Sequence, residues 1–470
     1  MNRTLSRTCG LIGTLLVVCA SPSAQADGAL KRHEQRARDI YQELVEINTV
    51  TATGDTARAA DAMAARLIAA GFPREDVQVF KPAERKGNVV ARMRGTGKLK
   101  PMILMAHIDV VEARREDWTT DPFKLIEKDG YFYGRGTGDD KFMAAAFVAN
   151  LIRYKEEGWR GDRDLILVLE TDEETLDVGA VGAQWLVKNH RNLLDAEFAL
   201  NEGGGVGSRK GKVLRVGVQT SEKVPANYVL EVRNRGGHSS LPRKDNAIYT
   251  LADGLSRLGK FEFPIKLNET TRTWLERSAP LESPQVGADM KALAAGQADA
   301  AAIARLSADP SINSILRTTC VATLLEGGHA MNALPQLARA TVNCRVLPGE
   351  PLEEVRKTIA KAVADEQIAV TLSWGHVASD PSPLNPKIMG TIEKLAQKQW
   401  PGVPVIPSMS AGATDGSFLR NTGIPTYGYS ARVADIDDVR AHGRDERVEV
   451  KSFYDGLEHL YQLVKALASR

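Results

Sequence analysis

Cysteine is scarce: four in 470 residues. That leaves no thiolate cluster to hold a metal. An excess of one charge is missing as well. Lys and Arg number 61 against 59 Asp and Glu, for a formal net charge of +2. Such a balance gives no field to attract nucleic acid or an anionic membrane. There is no internal repeat and no low-complexity tract. Long apolar runs are lacking outside the first residues. There, Arg3 and Arg7 make a basic start, Leu11 to Ala20 a short apolar core, and "SAQAD" an A-x-A cleavage site after Ala26. Residues 1–26 therefore read as a secretory signal. Its core is too short to anchor the mature chain in a bilayer. Cys19 invites a lipid-anchor reading, but Val18 is bulky where such sites want a small residue. The chain is expected to be exported, periplasmic or secreted, with no membrane attachment after cleavage.

What is present is ordinary for a globular protein: 43% hydrophobic and 26% charged residues. The length exceeds one ordinary core, so two domains are expected. Cys9 and Cys19 leave with the signal, and Cys320 and Cys344 remain in an oxidising setting. They sit in two consecutive strand-like runs, "TTCVATLLEGG" and "ARATVNCRVLPG". A cross-strand disulfide and two buried thiols both satisfy that placement.

From residue 30 to 215, helical stretches (Ala29–Ile47, Thr56–Ala70, Lys141–Glu157, Ala180–Asn189) alternate with apolar runs. The runs are "NVVARMRG", "PMILMAHI", "DLILVLET" and "FALNEG". This predicts an α/β fold with its sheet covered on both faces. Sites in such sheets form at the carboxyl ends of strands. Near Glu222 the pattern becomes β-α-β-β-α-β, predicting a small α+β domain over 222–379. A helical, Ala-rich insertion occupies 262–318 within it. The α/β pattern returns at 380–470. The expected organisation is thus a catalytic domain of 27–221 and 380–470 with the smaller domain inserted.

Several strand ends and tight loops carry polar groups. "AHIDVV" places His107 and Asp109 on one side of a strand. "GRGTGDDK" has three glycines that let backbone approach a ligand, followed by Asp139 and Asp140. "DLILVLETDEET" ends in Asp172, Glu173 and Glu174, carboxylates that repel unless a cation or a shared proton relieves them. "FALNEGGG" presents Glu202, and "VRAHGRDERV" presents His442. Each alone has a plain reading: a solvated loop, or acids at a helix start favoured by its dipole. Together, His107, Asp139, Glu174, Glu202 and His442 form an N/O donor set suited to zinc. One carboxylate can bridge two metals, with a His and a carboxylate completing each side. Glu173 is then left over where a general base would stand.

These residues resemble a known family. It is that of the di-zinc exopeptidases and amidohydrolases, which includes glutamate carboxypeptidase, aminoacylase, carnosinase-type dipeptidases and succinyl-diaminopimelate desuccinylase. The motifs run in order over the whole mature chain: "AHIDVV", "DPF…DGYFYGRGTGDDK", "TDEE", "LNEGGG", "GGHSS", "MNALP", "NCRVLPG", "SAGATDGSF" and "AHGRDE". The resemblance implies a zinc-exopeptidase-like catalytic domain, with a mixed sheet covered by helices, and an inserted ferredoxin-like lid and dimerisation domain. It implies two zinc ions per chain, with cobalt or manganese as substitutes. His107 and Glu202 would hold one, Glu174 and His442 the other, and Asp139 would bridge, often with a cis peptide after it. Asp140 would not be a ligand. Asp109 would support the site, Glu173 would be the general base, and His238 of the lid would stabilise the oxyanion, often in the other subunit of a homodimer. Asn332, Arg345 and, through its backbone, Gly412 would grip the substrate's free carboxylate. Glu112 departs from the proline common in the family's first motif, and the 262–318 insertion is larger than in compact members. The implied activity is hydrolysis of the amide bond of short peptides or N-acyl amino acids that keep a free carboxylate. An aminoacylase-like activity on non-peptide N-acyl amino acids is the neighbouring reading. A non-catalytic, metal-stabilised binding protein would have no use for Glu173, which is present.

Overall fold

The Met102–His107 strand is buried at every position, and so is its neighbour Leu165–Glu170. In the computed structural model, which describes residues 30–175 and 180–470, the two run parallel at the centre of a ten-stranded mixed sheet. Alternate side chains enter different cores. Met102, Leu104 and Ala106 face one cluster, and Ile103 and Met105 face the other. Covering on both faces explains why the runs are unbroken rather than alternating. Each such Leu or Ile stabilises the fold by about 1.5–3 kcal/mol. The larger core receives the helices Arg32–Glu46, Lys141–Glu156 and Val450–Leu467. The Phe198–Asn201 strand lies parallel on the other side of Met102–His107, so these strands end on the same edge of the sheet.

The Lys212–Glu222 strand belongs to this large sheet, while Val224–Arg233 belongs to a second one. That sheet has four antiparallel strands in the order Thr319–Gly327, Leu337–Val346, Val224–Arg233, Ala369–Gly375. The helices Ala247–Leu258 and Leu352–Val363 contribute to its own core. The chain re-enters the large sheet at Val405–Ser410, parallel to Lys212–Glu222. Four short helices between Glu269 and Leu316 form a further small core. Cys320 and Cys344 lie directly opposite each other on paired strands and are joined as a disulfide. The expected signal at 1–26 lies outside the described residues. Among the described residues no helix is long and apolar enough to cross a membrane.

Candidate metal centre

His107 is the last residue of its strand and is fully buried. Its Nδ1 lies 3.0 Å from the backbone oxygen of Asp109, which directs Nε2 toward Asp139 Oδ1 at 3.1 Å and Glu202 Oε2 at 3.7 Å. Asp109 is buried too, and its carboxylate accepts the backbone N–H groups of Glu173 at 3.2 Å and Glu174 at 3.1 Å. The chain leaves Leu165–Glu170 through a left-handed residue, Asp172 (φ 67), which turns those N–H groups toward Asp109. Lys86 holds Asp172 by an ion pair of 2.6 Å. His442, also left-handed (φ 61), brings Nε2 within 2.9 Å of Glu174 Oε1 and 3.3 Å of Asp139 Oδ2.

The Asp139 loop is built around another carboxylate. Glu446, buried, accepts backbone N–H groups from Gly136 (3.1 Å), Gly138 (2.6 Å) and Asp139 (3.1 Å). It also pairs with the buried Arg135 at 2.7 Å. Arg135 in turn reaches the backbone oxygens of His442 and Glu112 and lies over the Trp118 ring. Gly136 has φ 83, and a Cβ there would stand 2.7 Å from Val110 Cγ1, so only glycine fits. The Asp139–Asp140 peptide is cis.

The electrostatics are those of a cluster short of positive charge. Burial pushes the Glu173 carboxyl well above its ordinary range, and the neighbouring Glu202 adds to the shift. Burial raises Glu202 likewise, against the attraction of His107. Burial opposes charging of His107, yet hydrogen bonds to Asp109 and Asp139 outweigh it and raise the ring. His442 is raised to about 10 by hydrogen bonds to Asp139 and Glu174. Asp139 is lowered, because the two histidines overcome its burial. His107, Asp139 and Glu202 offer donor atoms within 4.8 Å of one another, as do Asp139, Glu174 and His442, and His107, Glu173 and Glu174. Apart from the His442 ring, buried Glu174 Oε1 has no hydrogen-bond partner among the described residues. The residues fit a pair of divalent ions: imidazole and carboxylate donors, with Asp139 facing each His through a different oxygen.

A family model described as Peptidase family M20/M25/M40 matches residues 103–466. The chain belongs to that family. It is therefore a metallo-hydrolase of the peptidase and amidohydrolase type. It is 31% identical over 393 residues to the human N-fatty-acyl-amino acid synthase/hydrolase PM20D1, covering 78% of this chain and 74% of that protein. It is 27% identical over 383 residues to the Dictyostelium discoideum probable carboxypeptidase S-like 2, covering 78% and 72%. The M20 family metallo-carboxypeptidase Sso-CP2 from Sulfolobus solfataricus shares the fold, with a TM-score of 0.67 and 19% identity over 91% of this chain and 98% of that one.

Within this family member the sequence candidates fall into three groups. His107, Asp109, Asp139, Glu173, Glu174, Glu202 and His442 converge as described. Arg345 stands apart on the smaller sheet, where its Nη1 donates to the Ala411 oxygen at 3.3 Å. That places it beside the loop of Gly412, whose own N–H donates to Ser410 Oγ at 3.0 Å. His238 and Asn332 share a two-stranded ribbon, in which His238 pairs with Ala333 and Ser239 N–H donates to the Asn332 oxygen. No hydrogen bond or ion pair joins the ribbon to the metal cluster among the described residues. Asp140 is buried beside Asp139 but belongs to none of the donor groups. Glu446 lies in the "AHGRDE" motif, and its role is not evident from the sequence. Its one signal was a carboxylate four residues after His442, with an Arg in the glycine-rich loop to match it.

Proposed function

We propose that this chain hydrolyses the amide bond of N-acyl amino acids that keep a free carboxylate, with two zinc ions. The observation that carries the reading is Asp139: its two oxygens face His107 and His442, and Glu202 and Glu174 stand beside those rings. His107 and Glu202 would hold one ion, His442 and Glu174 the other, with Asp139 between them. Bound there, the ions supply polarisation of the scissile carbonyl and a more acidic water. Glu173, oriented through its N–H by Asp109, takes the proton of the attacking water on its carboxylate. It then passes that proton to the leaving amine nitrogen. The N-acyl substrate class is supported by the human relative, whose name states N-fatty-acyl-amino acid hydrolysis.

Arg345 would bind the substrate's carboxylate by a bidentate pair. Among the described residues its guanidinium makes a single hydrogen bond, to a carbonyl. Replacing Arg345 with Ala should raise KM by roughly 10–100-fold, the worth of a charged hydrogen bond, with kcat little changed. A substrate whose carboxylate is amidated should behave the same way in the parent protein. If the amide is cleaved as efficiently as the acid, the requirement for a free carboxylate fails.

His238 would stabilise the oxyanion from a partner subunit. Ser240 N–H donates to its Nδ1 at 3.1 Å, which leaves the ring proton on Nε2, free to donate. The Thr319–Gly327 strand is an edge of the smaller sheet and exposes Val321, Leu324 and Leu325. An apolar edge of this kind invites pairing, and a second copy of this chain would cover it. Mixing the inactive variants Glu173→Gln and His238→Ala should then restore turnover, because one mixed site has both groups intact. No recovery, with dimers confirmed by sedimentation, would refute action across subunits.

A further inference from the structure

A cavity of about 390 Å³ lies between the large sheet and the helical insertion. Its volume falls in the range of ligand pockets and exceeds what one amino-acid side chain fills. Glycines open its floor. Gly205, Gly207 and Gly217 line it, and Gly205 sits opposite Gly217 on adjacent strands. Most of the wall is apolar: Trp274 and Ile315 from the insertion, Ile406 and Met409 from the Val405–Ser410 strand, and Ile436 and Val439 from the loop that leads to His442. Arg215, Asp435 and Ser311 add polar groups to it. Ile312 and Leu316 fill the insertion's own core, while Ile315, between them, turns to the cavity. The insertion is fixed in place. Buried Lys223 donates to the Ser314 and Arg317 oxygens at 2.7 Å each, and Arg277 donates to the Val405 oxygen at 2.7 Å.

One end of the cavity approaches the metal centre. Its lining residues Gly204 and Gly205 stand two and three residues after Glu202 in the chain. Arg432, also on the wall, brings its guanidinium carbon within 3.5 Å of where a Cβ on Gly138 would stand, one residue before Asp139. Arg432 Nε is buried without a hydrogen-bond partner among the described residues. The cavity thus carries a guanidinium on the side toward the Asp139 loop and a mainly apolar wall beneath the insertion. We infer that it is the acyl-chain pocket, taking a linear aliphatic acyl group whose amide lies at the metal centre. The inference rests on the amide-hydrolysis reading above and adds what selects the acyl half.

Calorimetric binding to metal-loaded Glu173→Gln protein tests it without turnover, using N-acetyl, N-hexanoyl and N-decanoyl forms of one amino acid. Affinity should rise by up to about fourfold for each added methylene buried, from about 0.8 kcal/mol per CH₂. From acetyl to hexanoyl that is roughly 10²-fold. Ile315→Arg should flatten the dependence on chain length, and Ile436→Asp, on the opposite wall, should do the same should the first variant fail to fold. Equal affinity for the three ligands, or a chain-length preference that survives both substitutions, would overturn the pocket. Hydrolysis of N-acetyl substrate that needs Glu173 but ignores chain length would spare the amidase reading and remove the acyl pocket alone. Absence of hydrolysis with any N-acyl amino acid would remove the amidase reading. The binding series would still decide the pocket.

Discussion

Substitution of Glu173 by Gln should lower kcat by about 10²–10⁴-fold, the range for loss of a positioned general base, while both metal ions stay bound. Glutamine keeps the side chain's shape but cannot take a proton. The backbone N–H at 173 would still donate to Asp109, so the neighbouring Glu174 keeps its position. Two outcomes count against the proposed role. Turnover within a few-fold of the parent would mean that another group moves the proton. Loss of one ion, measured by metal analysis of the purified variant, would make Glu173 a ligand. The second outcome has a structural basis to be excluded, because a Glu173 oxygen lies in one donor group with His107 and Glu174. The group's position fits a base: its backbone is held by Asp109, beside the donor groups that would carry the ions.

Substitution of Glu446 by Ala should destabilise the protein by about 3–5 kcal/mol, because it leaves the buried Arg135 charge unpaired. It should also weaken metal binding by about 10–100-fold, the usual effect of losing a group that orients a ligand. Three N–H groups of the Gly136–Asp139 loop lose their acceptor at once, and this loop aims Asp139 between the two histidines. Glu446→Gln keeps an acceptor but not the charge, and it should fall between parent and Ala variant. Thermal melts of metal-free protein read the first effect and metal titrations the second. A metal affinity unchanged in Glu446→Ala would show that Asp139 is placed by something else.

How legible the site was differed from residue to residue. His107, Glu174 and Glu202 stand at or just past the ends of buried strands, and strand ends show in a sequence as apolar runs that stop at polar residues. Parallel neighbours in one sheet end on one edge, so local pattern already implied convergence. Asp139 was marked by the glycines before it. His442 had no such mark, since a loop histidine looks the same whether solvated or not, and only the ordered motifs drew attention to it. Glu446 and Arg432 were missed because the Gly136–Asp139 loop that both approach lies some three hundred residues away in the chain.

The α/β class, the β-α-β-β-α-β order of the smaller sheet and the inventory of imidazole and carboxylate donors were determined by the sequence alone. All three rest on local periodicity and residue chemistry. Which chain segments meet was decided only by the tertiary structure. Asp139 turns one oxygen to each histidine because Glu446 gathers the loop. Cys320 and Cys344 are bonded because register sets them opposite. Among the described residues, the ribbon bearing His238 and Asn332 makes no hydrogen bond or ion pair with the cluster. The insertion, which in sequence is merely Ala-rich and helical, becomes the roof of a cavity whose floor is opened by three glycines. Long-range packing and register produce these relations, and no local pattern encodes them.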